Sequence, residues 1–285
     1  MAETTPSYKT TLPPHIHSVD SLARRNWGQL LALAPLFMTA CFTGHAEILR
    51  VLLICLVSAI AFEFLAAKLF RKKENLQNGE AALAASLFAL LMPSRCPSEV
   101  VILGVFMAVF AAKELFGGTG SYLLQPVLLA RAFLQLCFPK VLSEPMLLAG
   151  DGSVWVLVAI GFGGILFLKQ KQGYWKTPVL FMAVCFICEA LLGGQEMPLT
   201  FFSAVLFAAF FLLADPVALP LTRKGTVLFV LGAALLSSRL NPEGFSIRST
   251  CYAILSMNLL TPWIDVWLKP ISCKTKHPIK ATYLT

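Results

Sequence analysis

Ten apolar stretches follow one another along this chain, most of them about as long as a bilayer's hydrocarbon is thick. They run over roughly 28–45, 48–70, 80–92, 98–116, 121–138, 153–169, 175–193, 199–214, 225–239 and 247–268. A helix needs about 20 mostly apolar residues to cross that layer, with a range of roughly 17–25. Lipid offers no hydrogen bonds, so a spanning segment must satisfy its own backbone, as a helix does. The third and ninth stretches are short. Of 285 residues, 57% are hydrophobic and only 13% charged, against roughly 25% charged in soluble domains. No stretch is left over for a soluble domain. The expectation is an all-α, polytopic membrane protein of ten transmembrane helices.

The basic residues give the orientation. Polar residues 1–26, with Pro6, Pro13, Pro14, Arg24 and Arg25, show no clear signal-peptide pattern of charged start and small-residue cleavage site. They read as an irregular cytoplasmic N-terminal segment before a retained helix. One set of alternate gaps then holds Lys9, Arg24, Arg25, Lys68, Arg71, Lys72, Lys73, Lys113, Lys169, Lys171, Lys176, Arg223, Lys224, Lys269, Lys274, Lys276 and Lys280. The other set holds only Arg50, Arg95, Lys140, Arg239 and Arg248, and Arg131 falls inside a helix. Lys and Arg gather on the cytoplasmic side of membrane proteins, so both termini are expected in the cytoplasm, with 270–285 as a tail. The net charge of +8 thus reflects topology, and no nucleic-acid partner is implied.

Cys185 and Cys188 form a C-x-x-C on one helix face. An iron–sulfur cluster normally takes four thiolates, and no second pair exists, so these read as small hydrophobes. His15, His17, His45 and His277 form no ligand set, and no metal site is expected.

Ten helices invite a test for internal symmetry. Five helices per repeat forces the second copy to be inverted. The expected repeats are about 27–139 and 152–269, within a transmembrane domain 27–269. Glu63 in the second segment and Glu189 in the seventh stand at similar offsets, so the carboxylates would lie symmetrically about the midplane. The short third segment is closed by Pro93, and the eighth ends at Asp215-Pro216. Short or interrupted segments at matching positions point to a central site. Ionisable groups deep in a bilayer usually face the bundle interior with a partner. Glu63, Arg131 and Glu189 are the deepest charges. Either Arg131 clamps one of the glutamates, or an unpaired glutamate is a proton or Na⁺ ligand. Asn258 and Asp265 share one face of the tenth segment (i, i+7) and join the candidate ion path. Lys113 and Glu114 are either a cytoplasmic polar gate or an interfacial pair snorkelling from a helix end. Trp27, Trp155, Trp175, Trp263 and Trp267 read as interface anchors.

Several motifs occur together: P-P-H-I-H-S-V-D-S-L-A-R-R (Pro13–Arg25), N-G-E-A-A-L (Asn78–Leu83), K-E-L-F-G-G-T-G (Lys113–Gly120), R-A-F-L-Q-L-C-F-P (Arg131–Pro139), A-D-P-V-A-L-P-L-T-R-K-G (Ala214–Gly225), N-P-E-G (Asn241–Gly244) and M-N-L-L-T-P-W-I-D (Met257–Asp265). In this order, from Pro13 to Asp265, they resemble the family of the RnfD and NqrB subunits. Those are membrane subunits of the Rnf electron-transport complex and of the sodium-translocating NADH:quinone oxidoreductase. The resemblance implies ten helices in two inverted repeats, related to urea transporters. It implies a non-autonomous flavoprotein subunit of the bacterial inner membrane, acting with other membrane subunits to couple electron flow to Na⁺ or H⁺ movement. The residues it points to for a non-covalent flavin, FMN or riboflavin, are Lys113, Gly117, Gly118, Gly120, Tyr122, Gln125, Asp215, Thr222 and Arg223.

Two departures stand out. The family attaches FMN to a Thr of an S-G-A-T type motif in the outer loop after helix five. Here Pro139–Gly152 contains no Thr, so covalent FMN is not expected. The family reads G-G-x-G-x-N-P-F-N-P-A at the start of helix five, and its asparagines are associated with non-covalent flavin. This chain places Tyr122 and Gln125 there. Tyr122 can stack on a ring but does not mimic an amide. The alternative reading is a solute channel or transporter built on the same scaffold without redox chemistry.

Overall fold

The computed structural model describes residues 22–43, 47–70, 78–118, 120–143, 153–169, 176–192, 199–213, 215, 217–240 and 246–268. Ten main helices account for nearly all of these. They are α1 (Leu22–Phe42), α2 (Glu47–Leu69), α3 (Glu80–Leu91), α4 (Ser98–Val105, running on as a π-helix over Phe106–Glu114), α5 (Pro126–Cys137), α6 (Val154–Lys169), α7 (Lys176–Leu192), α8 (Leu199–Phe207, running on as a π-helix over Ala208–Leu212), α9 (Arg223–Arg239) and α10 (Ile247–Trp267). A 3-10 turn, Val141–Ser143, follows α5. The count and order match the ten apolar stretches.

Two boundaries differ from the sequence reading. α1 begins at Leu22, so the helix already includes Arg24 and Arg25. The Leu-Ala-Arg-Arg-Asn-Trp run lacks Gly and Pro, and Asn26, Gln29, Leu33 and Leu36 continue one buried face. α5 begins at Pro126, not at 121. Gly117, Gly118 and Gly120 all take positive φ, from 84° to 113°, a region other residues rarely adopt. The chain therefore turns here before proline sets the first helical φ.

Among the described residues, α2 is the one helix both long and apolar enough to cross a membrane on its own. The reason is visible in α3 and α5. Each has 12 residues, about 18 Å at 1.5 Å per residue. Both are wrapped by protein. In α3 every residue from Ala85 to Leu91 is buried, and in α5 the run Pro126, Val127, Leu128, Ala130, Arg131, Ala132 and Leu134 is buried. Around them the order of a soluble protein is inverted. Leu53, Val57, Leu136, Trp155, Phe162, Leu191, Trp263 and Trp267 are all more than half exposed on the outer faces. Apolar surface on that scale marks contact with lipid or with other chains.

Packing follows a regular scheme. α1 lies against α6 and α5 against α10; α2 packs on α3 and α4, α7 on α9, α1 on α3, α6 on α8, α4 on α5 and α9 on α10. Small residues bring α1, α6 and α8 close together. A Cβ on Gly163 of α6 would sit 2.3 Å from the Ala32 carbonyl oxygen of α1, and one on Gly164 would lie 2.7 Å from the Phe210 ring. Close backbone approach through glycine is a recurrent way for helices to associate without a hydrophobic driving force. Gly163→Ala is expected to lower the melting temperature in detergent, costing about 1–3 kcal/mol as overpacking does. Gly161→Ala is the control, since a Cβ there meets nothing within 4 Å. Equal melting of the two variants would show that this crossing is loose.

Candidate functional site

Lys113 stands in the last turn of the π-helical part of α4 and is 3% exposed. Its Nζ donates to Glu63 Oε1 of α2 at 2.9 Å, lies 3.3 Å from Glu80 Oε2 of α3, and is 3.7 Å from Glu114 Oε1 of its own helix. The four side chains are at most 16% exposed. Three helices thus converge on one ammonium. This geometry excludes a lysine snorkelling into solvent. π-helical turns are rare and are often found at functional sites.

Local structure places each member. Glu80 opens α3, where the helix dipole favours a carboxylate. The residue before it, Gly79, takes φ 65° and packs on Trp27, whose indole would lie 3.1 Å from a Cβ there. Asn26 Nδ2 donates to the Asn78 carbonyl at 2.9 Å, tying the start of α1 to the start of α3. Trp27 therefore packs on a turn as well as being 53% exposed.

A cavity of about 130 Å³ opens beside the cluster, enough for roughly ten waters at 10–15 Å³ each. Its polar lining is Arg25, Asn26 and Gln29 of α1, Glu80, Lys113, Tyr122, Gln125 and Asp215; its apolar lining includes Leu83, Leu87, Val109 and Phe211. Tyr122 and Asp215 meet here through a side-chain hydrogen bond. Asp215 Oδ1 also accepts from the Val217 N–H at 3.1 Å. Part of Asp215 is exposed, but protein surrounds its carboxyl. That desolvation raises its pKa, opposed by the Val217 N–H, the Tyr122 hydroxyl and Arg25.

The sequence-selected residues now divide. Lys113, Gly120, Tyr122, Gln125 and Asp215 line the cavity, and Glu63 reaches it through Lys113. Gly117 and Gly118 shape the preceding turn. Thr222 is a helix cap whose Oγ1 accepts from Gly225 N at 3.0 Å, and Arg223 is exposed at the start of α9. Arg131 does not clamp Glu63 or Glu189. Its Nε donates to the Leu91 carbonyl at 3.0 Å and its Nη1 to Gln135 Oε1 at 2.9 Å. It thereby stabilises the carbonyl end of α3, where a cation is favoured. Glu189, part-buried on α7, forms no ion pair among the described residues. Asn258, Thr261 and Asp265 of α10 all face the connection after α8. Thr261 Oγ1 donates to the Ala218 carbonyl at 3.3 Å, and Asp265 Oδ1 accepts from Leu221 N at 3.0 Å. Residues missed as site members are Arg25, Glu80, Asn26, Gln29 and Thr261. Asn26 and Gln29, one helical turn apart on the buried face of α1, carry a readable signal.

The residues discriminate between parts of a flavin. A phosphate does not fit, because Glu63, Glu80, Glu114 and Asp215 outnumber Lys113 and Arg25, and the ammonium is already engaged. The amides of Asn26, Gln29 and Gln125 beside aromatic and aliphatic walls suit an uncharged polar ring. Most of the loop after α5, 144–152, lies outside the described residues.

Two outcomes are expected of variants. Lys113→Met removes the ammonium that Glu63, Glu80 and Glu114 share and is expected to cost about 3–5 kcal/mol, as broken buried pairs do. Adding Glu63→Gln is expected to recover part of that loss in a double-mutant cycle read by thermal melting; additive losses would mean that the pair is not coupled. Asp215→Asn keeps the acceptor for Val217 N–H and removes the charge. A carboxyl raised in the folded state loses stability as pH rises through its folded value. Asp215→Asn is therefore expected to melt higher than the parent at pH 7.5, with the gap closing toward pH 4. A gap that widens on acidification would contradict the assignment.

Comparison with known sequences bears on the whole length. The sequence model of the NQR2, RnfD, RnfE family matches residues 9–153 and 141–274. Among curated relatives, the D subunit of the proton-translocating ferredoxin:NAD(+) oxidoreductase complex of Clostridium ljungdahlii is 24% identical over 315 residues, covering 93% of this chain and 95% of that protein. The D subunit of the ion-translocating oxidoreductase complex of Methanosarcina acetivorans is 25% identical, covering 93% and 96%. The D subunit of the Na(+)-translocating ferredoxin:NAD(+) oxidoreductase complex of Acetobacterium woodii is 24% identical, covering 90% and 92%. With matches that together run from residue 9 to residue 274, this chain belongs to the NQR2, RnfD, RnfE family.

Proposed function

We propose that this chain is the RnfD-type membrane subunit of an Rnf-type complex that couples electron transfer to translocation of Na⁺ or H⁺. The observation that carries this is end-to-end similarity to subunits named for that task. The alternative, a solute transporter without redox chemistry, gains no comparable support. In this reading the chain is a multi-pass protein of the bacterial inner membrane, both termini lie in the cytoplasm, and partner subunits carry the remaining redox centres. The helix pairings support two inverted repeats: raising every helix number by five turns α2–α4 into α7–α9, α1–α3 into α6–α8 and α4–α5 into α9–α10, while α1–α6 and α5–α10 bridge the halves.

The cavity beside Lys113 would then open on the cytoplasmic side, between the halves. Its carboxylates draw cations from that side, and the buried ammonium keeps the site from trapping one. Glu63 holds Lys113, while Gln125 and Asp215 form the inner wall. The same cavity would take an uncharged, non-covalent flavin such as riboflavin against Tyr122 and Gln125; when bound, such a ring supplies one-electron or two-electron redox chemistry. FMN is disfavoured by the charges, and the loop after α5, 139–152, contains no Thr to accept it covalently.

Glu63→Gln removes the charge facing Lys113 and is expected to slow ion-coupled turnover of the assembled complex at least tenfold. Ion uptake per electron transferred, measured in vesicles, checks this. Unchanged coupling in both Glu63→Gln and Glu189→Gln would remove these glutamates from the ion path. Flavin released from the purified chain on denaturation would support the non-covalent site; flavin retained on the denatured chain would contradict it.

A further inference from the structure

Pro35 sits inside α1, a helix of 21 residues. Proline has no backbone N–H, so the Leu31 carbonyl loses the donor that the fourth residue on supplies in a helix. The hydroxyls of α1 do not replace it. Thr39 Oγ1 donates to the Leu36 carbonyl at 2.8 Å, and Thr43 Oγ1 to the Thr39 and Ala40 carbonyls at 2.9 and 3.4 Å. Leu31 is 69% exposed, Ala34 is exposed and Pro35 is half-buried, so this carbonyl stands on the outer side of α1. At 1.5 Å per residue it lies about 14 Å from one end of the helix and about 16 Å from the other. In a bilayer that depth is the middle of the hydrocarbon, beyond water and headgroups.

α6 shapes the surface alongside. Its crossing with α1, at Ala32 and Gly163, puts Gly161 at nearly the same depth as Leu31. A Cβ on Gly161 meets nothing within 4 Å, and Val158, Phe162 and Ile165 around it are each more than half exposed. An acceptor short of its helical donor thus stands beside an open dent with large apolar flanks. Lipid tails carry no donor, and an unsatisfied carbonyl is costly among them. Between membrane helices, small residues allow close approach and polar side chains hydrogen-bond across the contact. We propose that the α1–α6 face docks a transmembrane helix of a partner subunit, and that a hydroxyl or amide side chain of that helix donates to the Leu31 carbonyl. This rests on the reading of the chain as one subunit of a membrane complex. A second copy of this chain does not serve, because the face itself has only apolar side chains at that depth.

The test is photo-crosslinking in membranes that hold the assembled complex, with p-benzoylphenylalanine in place of Leu31 and, separately, of Phe162. The expected result is adducts from both positions to one apolar segment of a co-purifying subunit, a segment that contains Ser, Thr, Asn or Gln. Pro35→Ala returns the N–H to the Leu31 carbonyl. It is expected to leave the melting temperature of the isolated chain unchanged or higher, and to reduce the partner retained in detergent at least fivefold. Full retention in Pro35→Ala overturns the hydrogen bond across the contact. Adducts to lipid alone, or to a second copy of this chain, overturn the docking face while other subunits still co-purify. A parent chain that co-purifies with no other polypeptide overturns the subunit reading, and this face with it.

Discussion

One ammonium among three carboxylates, largely buried at the junction of α2, α3 and α4, constrains the rest of this molecule. Desolvating such charges costs several kcal/mol per ion unless each finds a partner in good geometry. The arrangement around Lys113 therefore dictates that α3 start where it does, that Gly79 turn with positive φ against Trp27, and that α4 widen into a π-helix before its end. Hydrophobic packing alone would not demand this. The outer apolar surface is tolerant of many apolar side chains, whereas the charged junction tolerates few arrangements.

The short helices serve the same end. Half-length α3 and α5 cannot stand in lipid alone, and the longer helices enclose them. Their ends therefore fall inside the protein, where polar termini can meet charges and cavities. Arg131 meets the carbonyl end of α3, Glu80 its amide end, and the glycine turn before α5 brings Tyr122 and Gln125 to the same space. The connection after α8 supplies Asp215 from the other half of the chain. A polar cavity where these ends meet is thus a geometric consequence of interrupted helices.

Much of this is legible in the sequence. Apolar length locates all ten helices, and Pro93 and Asp215-Pro216 mark the interruptions. Glu63 is readable as a buried charge because nothing apolar requires a carboxylate in that setting. Its partner is not. Arg131 looks like the natural counterion because both lie within apolar stretches, but Arg131 is spent on a backbone carbonyl, and Lys113 reaches inward because the π-helical turns bring it there. Widening of a helix by one residue per turn has no strong local signature, so the registry of Lys113 and Glu114 is hidden. Thr222 is selected by motif and is a helix cap, a role that a Thr ahead of R-K-G can announce. Asn258 stands out by its place on an apolar face, but only the tertiary fold shows that its amide is unmet.

Electron flow and ion movement are coupled through this chain if the site around Lys113 works as proposed. The most direct measurement is ion uptake into inverted membrane vesicles containing the complex with or without this subunit, driven by the reduced electron donor. The predicted result is uptake of Na⁺ or H⁺ that requires the chain and stops when the donor is exhausted. Donor-driven uptake that persists at full rate without the chain would contradict it.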